Sequence, residues 1–238
     1  MAKITFHSNR TYNTTQNELN PQPTKKNMPK WFVESSRHWF PENKETLSFK
    51  ACPAIVDAFL TGYVLKTPCD INFSKNSISD LFKGHVETFK AITEKGYEDF
   101  CGSRPTMPGF PIPPGFEKHF HWYPNWMPGL EPGYSALYVH PLNRYDLPFI
   151  TLSGIIDNDK MNTPGLMPFF LKEGFEGVIP KGTPYVQIIP YKREEWESSE
   201  KMYSLEEIVE RHEYQANKFR VPEGGAYKKK VWSRKRYD

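Results

Sequence analysis

The sequence predicts a mainly β protein, a barrel or jelly-roll sandwich with one or two packed helices and extended polar arms at its N- and C-termini. Three observations lead there. The 238 residues include 22 prolines and 15 glycines, too many breakers for a helical bundle and without the strict period of collagen. Aromatics form 15% of the chain, which argues against wholesale disorder despite a mean hydropathy of -0.66, because aromatic rings bury the most area per residue. The second half breaks into brief strand-like runs, YSALYVHPL, PFITLSGIID, LMPFFL, GFEGVIP and TPYVQIIPY. Turn chemistry separates them at Glu131-Pro132-Gly133, Asp157-Asn158-Asp159, Pro164-Gly165 and Lys181-Gly182.

Residues 1–28 are rich in Asn, Thr, Gln and Lys without periodicity and read as a polar arm. A β domain follows over 29–200. It opens on PKWFVESSRHWF, whose Trp31, Phe32, Trp39 and Phe40 are expected on a core. Pro53 suits the first turn of a short helix reaching Phe59, since its missing N–H would go unused there, and Gly62 ends that turn. Tyr63–Leu65 and Ile71–Phe73 read as short strands. Over 77–95 the apolar spacing predicts a helical insertion, weakened by Gly84. Residues 101–150 hold ten of the prolines, which predicts loops and edge strands rather than an interior sheet. The last part, 201–238, combines a helix with a basic tail. Ser204 and Glu207 have capping-box spacing, and Leu205, Ile208, His212, Gln215 and Phe219 fall on one stripe. That helix is expected against the barrel or a neighbouring subunit.

The formal charge of +3 hides an asymmetry. The last eleven residues hold six basic groups (Lys228, Lys229, Lys230, Arg234, Lys235 and Arg236) against Asp238, so the tail is +5 and the remainder, 25 basic against 27 acidic, is -2. The tail is read either as a clamp for an anionic partner, with Trp232 and Tyr237 able to stack on bases, or as a self-repelling solubilising terminus. Cys52, Cys69 and Cys101 form no C-x-x-C pair and fit a reducing compartment. No run approaches the roughly 20 apolar residues of a membrane span, and the first residues lack the apolar core of a secretory signal. These features predict a soluble protein of the cytoplasm, with no membrane partner. Walker, G-x-S-x-G and H-E-x-x-H motifs do not occur, so those enzyme classes lose support.

Four blocks carry a resemblance. PKWF at 29–32, CPAIVDAFLTGY at 52–63, PGYSALYVHPLNR at 132–144 and KGTPYVQIIPYKREEW at 181–196 are similar, in this order, to an uncharacterised family of phages and bacteria. That family carries no established chemistry, so membership implies no function; the expected kind is a phage-type accessory or virion structural protein. Residues 130–190 also resemble the dUTPase and dCTP deaminase β-barrel group. Pro132-Gly133-Tyr134 leads a strand as it does there. Gly154-Ile155-Ile156-Asp157-Asn158-Asp159 is similar to that group's G-[VI]-I-D-x-D-Y-x-G block, and Lys181 to Ile189 to its K-G-D-x-[IV]-A-Q-L-I block. The resemblance implies a dUTPase-like (β-clip) scaffold, with Asp157 orienting or deprotonating the water that attacks a nucleotide's α-phosphate. Asp159 and a magnesium ion would hold phosphates. The sequence departs from the pattern where it matters for catalysis. Lys160 replaces the tyrosine that selects the deoxyribose, Pro141-Leu142-Asn143-Arg144 replaces the serine-bearing phosphate loop, and the glycine-rich lid is only echoed at 224–227. What is retained is what a fold needs.

Each candidate has a plainer alternative. Asp157 and Asp159 could instead be a tight turn whose side chains bond their own backbone. Arg144, with Gln187 a ligand-binding candidate, could hold a phosphate or carboxylate through its planar fork or pair with Asp146. His119-x-His121 puts two imidazoles on one strand face beside Glu117. With His140 they would make a cupin-like iron or zinc site, the alternative being packed histidines. Cys52 heads the Pro53 helix, where a thiolate is favoured, but an inert buried thiol is expected. Trp122, Tyr123, Trp126 and Tyr134 are a stacking surface or core filling. The expected role is binding or assembly as a homo-oligomer, joined through the arms to its own kind or to other particle proteins. No cofactor is expected, unless the chain is a nucleotide pyrophosphohydrolase using magnesium or a cupin-like oxygenase.

Overall fold

The computed structural model describes residues 2–8, 17–68, 70–73, 101–103, 110–161, 165–219, 231–233 and 235–238. The helix expected over 77–95, Cys69, Lys228, Lys229, Lys230 and Arg234 lie outside them. The chain divides into two units, one of Met1–Asn27, Gly62–Arg193 and Asp238, the other of Met28–Thr61 and Glu194–Tyr237. The strands are β1 Ile4–His7, β2 Gln22–Pro23, β3 His38–Trp39, β4 Thr46–Leu47, β5 Tyr63–Lys66, β6 Ile71–Phe73, β7 Cys101–Ser103, β8 Phe116–Trp122, β9 Met127–Leu130, β10 Tyr134–Val139, β11 Phe149–Thr151, β12 Gly154–Ile156, β13 Met167–Lys172, β14 Gly177–Ile179 and β15 Pro184–Lys192. The α-helices are α1 Lys30–Glu34, α2 Pro53–Leu60 and α3 Leu205–Phe219.

Every strand pair described in the first unit is antiparallel. One sheet runs β12-β10-β15-β5-β2, a second β11-β13-β8-β7, and β1-β9 and β14-β6 are separate pairs. The sheets stay open, and the expected closed barrel is not formed among the described residues. Both larger sheets feed one core: Leu65, Ala136, Tyr138, Val186 and Ile188 from the first, Phe120, Trp122, Phe149, Phe169 and Leu171 from the second. Trp122 stacks on Phe169 with centroids 3.8 Å apart. Its indole N–H donates to Thr151 Oγ1 at 3.0 Å, and that hydroxyl donates on to Tyr185 O at 2.6 Å, so these two buried polar groups are satisfied. The proline-rich stretch does supply interior strands, contrary to expectation. β8 lies between β13 and β7, and β10 between β12 and β15. The reason is placement: no proline falls within Phe116–Trp122 or Tyr134–Val139, so both ladders keep their donors.

The second unit contains α1, α2, the β3-β4 hairpin and α3. Pro53 begins α2 as expected. Phe32 and Phe59 are buried with ring centroids 4.3 Å apart, and Lys50 Nζ donates to Val33 O and Ser35 O at 2.7 and 2.9 Å beside them. The expected burial of Trp39 and Phe40 fails, since they are 63% and 61% exposed, and Trp31 is also exposed. A five-residue helix and a two-stranded hairpin cannot each cover every aromatic they carry; α1 turns Phe32 inward and leaves its neighbour out. At α3 the capping box forms: Glu207 N–H donates to Ser204 Oγ at 3.2 Å and Ser204 N–H to Glu207 Oε2 at 2.9 Å. Among the described residues no helix is long and apolar enough to cross a membrane.

Candidate functional site

The acidic corner is assembled by strand register. β10 pairs with β12 on one side and with β15 on the other. The match of Tyr134 with Lys192 brings Arg193, the first residue beyond β15, against Gly133, whose carbonyl accepts its N–H at 2.8 Å. Where β12 ends the chain turns through Asp157, Asn158 and Asp159, with Lys160 N–H on Asp157 O at 2.9 Å. The guanidinium of Arg193 closes this turn. Nη1 donates to Asp159 Oδ1 at 2.9 Å, Tyr134 O at 2.9 Å and Ser135 Oγ at 2.8 Å, and Nη2 donates to Asp159 Oδ2. Nη1 also lies 3.3 Å from Asp157 Oδ1, which accepts from Ser135 Oγ at 2.6 Å. Gly133 N–H donates to Asp159 Oδ2 at 2.9 Å. Between the two acids Asn158 is buried, its Oδ1 accepting from Tyr138 Oη at 2.9 Å. The tight turn does form, and its side chains bond β10 and Arg193.

The electrostatics follow from these bonds. The Asp159 side chain is 5% exposed, and Arg193 foremost, with help from Gly133 N–H and against burial, holds its carboxyl down to about 2. Such a group is a weak base at neutral pH. Burial raises the Tyr138 hydroxyl above its ordinary value, with Asn158 opposing. The corner thus acts as a staple joining the ends of β12, β10 and β15. Neither Arg193, Ser135 nor Asn158 stands out in the sequence as a site residue; counting register from the paired β10 and β15 runs would have placed Arg193 opposite Gly133.

The pH dependence has a definite sign. A carboxyl depressed from 3.8 to about 2 contributes stability that is complete above its ordinary value and is lost as pH falls from there through about 2. Arg193→Gln should therefore lower Tm by several degrees at pH 7, with the gap to the parent closing between pH 4 and 2. Thermal unfolding followed by circular dichroism across that range checks it.

The other candidates are placed as follows. Arg144 meets Asp146 through both fork nitrogens, Nε to Oδ1 at 2.8 Å and Nη2 to Oδ2 at 2.9 Å, so the guanidinium proposed for a phosphate faces a carboxylate. Gln187 is buried and its Oε1 accepts from Leu142 N–H at 2.9 Å, which fixes the loop after β10. His119 and His121 do share a face of β8, buried, with centroids 4.6 Å apart. His140 does not join them. Its Nδ1 accepts from Thr151 N–H at 3.4 Å, which leaves Nε2 as the donor to Arg144 O at 3.0 Å, and burial lowers its pKa. Among the described residues no three His, Cys, Asp or Glu side chains stand close enough to share a metal ion.

In the tail, Trp232 is not an open stacking platform. Its indole N–H donates to both carboxylate oxygens of Asp57 on α2, at 3.0 and 2.8 Å, and Lys235 Nζ reaches Oδ2 at 2.6 Å. Arg236 is exposed and Tyr237 half-buried. Cys52 is exposed at the start of α2, not buried as expected. Trp122 is core filling, while Tyr123, Trp126 and Tyr134 are half-buried. A cleft of about 410 Å³ is lined by Leu147, Lys172, Phe175, Val178 and Thr183, and its lining includes neither Asp157 nor Asp159. The chain matches no protein-family model, no curated protein and no solved structure.

Proposed function

We propose that this chain is a non-enzymatic binding and assembly protein, of the accessory or virion kind that the four sequence blocks suggest, built on a dUTPase-like β scaffold. The observation that carries the reading is the apolar surface of the second unit: Trp31, Trp39, Phe40, Leu47 and Phe49 are all exposed. A surface of that kind belongs to an interaction site more often than to bare solvent. The corner agrees with it. The residues that would serve a nucleotide hydrolase bond one another through Arg193, as expected where a scaffold is kept and its machinery is not.

The test is light scattering on the full chain over a range of concentrations, together with incubation with dUTP or dCTP and magnesium. The expected result is a homo-oligomer that releases no pyrophosphate. A monomer at all concentrations overturns the assembly reading. Pyrophosphate release that disappears in Asp157→Asn replaces it with the nucleotide hydrolase.

A further inference from the structure

Resting on that assembly reading, we infer that residues 194–219 are an exchange arm that docks on a second copy of this chain. The arm has two parts. Residues 194–204 carry no helix or strand, and α3 follows directly. From 194 to 216 every residue is exposed except Glu207, which is half-buried. Trp196, Met202 and Leu205 are 86%, 96% and 77% exposed. On α3, Leu205, Ile208 and Val209 lie at i, i+3 and i+4, one stripe of the helix, and all three face solvent.

Local contacts order the start of this helix. Its cap is the Ser204–Glu207 box, Lys201 Nζ pairs with Glu207 Oε1 at 2.9 Å, and Lys201 and Arg211 sit 5.1 and 4.5 Å from the Tyr203 ring centroid. Local contacts alone leave a 15-residue helix marginal in water, and most helical stability in proteins comes from covering an apolar face.

Charge names the occupant. The arm holds eight acidic and three basic residues, a net -5, so the rest of the chain, with 28 basic and 20 acidic, is +8. A second copy therefore offers the complementary sign, which steers encounter and sets register while the apolar stripe supplies affinity. The dimensions fit. The helix is about 22 Å long and the extended part spans up to about 36 Å, a strip of roughly 600 Å² at a helix width of about 10 Å. Two arms exchanged reciprocally reach the roughly 1,200–2,000 Å² that specific interfaces bury.

The experiment is sedimentation velocity on three full-length proteins: the parent, an Ile208→Asp/Val209→Asp double variant, and a Glu206→Lys/Glu210→Lys double variant. Circular dichroism and Tm report whether the fold is kept. The apolar double variant should weaken self-association about 30-fold or more, the effect of losing an interface hot spot. The charge variant should also weaken it, and raising salt from 0.15 to 0.5 M should weaken the parent. A parent that assembles while both folded variants assemble equally well overturns the arm and leaves the assembly reading standing on another surface. A parent that is monomeric throughout overturns both. Should the aspartate variant lose its fold, the charge variant and the salt series decide the matter alone.

Discussion

Trp122→Ala is expected to cost about 3–5 kcal/mol of folding stability, the range for deleting a fully buried large aromatic. Trp122 is wholly buried in the core that both larger sheets share. It contacts Phe169 face to face and Phe149 edge on, with centroids 3.8 and 5.0 Å away. No neighbour can collapse into the space, because Phe149 and Phe169 are fixed by the β11-β13 ladder. The change also removes the donor to Thr151 Oγ1. Against a total stability of about 5–15 kcal/mol for a domain, the loss brings the fold close to its midpoint. Trp122→Phe separates the two contributions. It keeps most of the stacking and deletes the N–H, so its cost should be about 1–2 kcal/mol, the sum of one net hydrogen bond and some lost volume. Urea denaturation of the three proteins measures both differences; a Trp122→Ala cost below about 1 kcal/mol would mean the two sheets do not meet at this ring.

Where the sequence was legible, the signal was local. Ile71–Phe73 is a strand as expected, because three residues bounded by turn formers leave little choice. Ser204 and Glu207 form their capping box, which needs only two side chains three positions apart. Each of the five strand-like runs of the second half holds at least one strand. Illegible features depend on pairing between distant segments. Asp159 and Arg193 are 34 positions apart and meet only because β10 aligns Tyr134 with Lys192. The same holds for Gln187, whose partner Leu142 is 45 positions away. His140 reads as a ligand by type and position, yet its ring nitrogens meet the backbone of Arg144 and Thr151, and composition carries no trace of that. Trp39 and Phe40 mislead in the opposite sense. Hydrophobicity argues for burial, but burial needs a covering element, and a hairpin of two-residue strands has an uncovered side.

Gly62→Ala should be the most damaging glycine-to-alanine substitution among the described residues, because conformation and space are both against it. Gly62 has φ +75°, a region where a Cβ costs about 1–2 kcal/mol. An added Cβ would also stand 2.2 Å from Ile188 O and 3.2 Å from Ile189 Cγ1. The first of these is backbone, so it cannot rotate away as the end of a side chain can. Ile188 is paired with Tyr63 on β5 and with Tyr138 on β10. Moving its carbonyl therefore disturbs ladders on both sides of β15 in the middle of the five-stranded sheet. The carbonyl of Gly62 in turn accepts from Thr24 N–H at 3.0 Å, so the close approach ties a third segment to the same point. The total should be about 3 kcal/mol or more, strain plus an overpacking cost of the usual 1–3 kcal/mol. Gly115 is the control, with a similar φ of +79° and no atom within 4 Å of an added Cβ. Gly115→Ala carries the strain alone and should cost about 1–2 kcal/mol. The difference between the two variants in chemical denaturation isolates the steric part. Equal losses would mean that β5 and β15 do not approach at Gly62 as closely as their register requires.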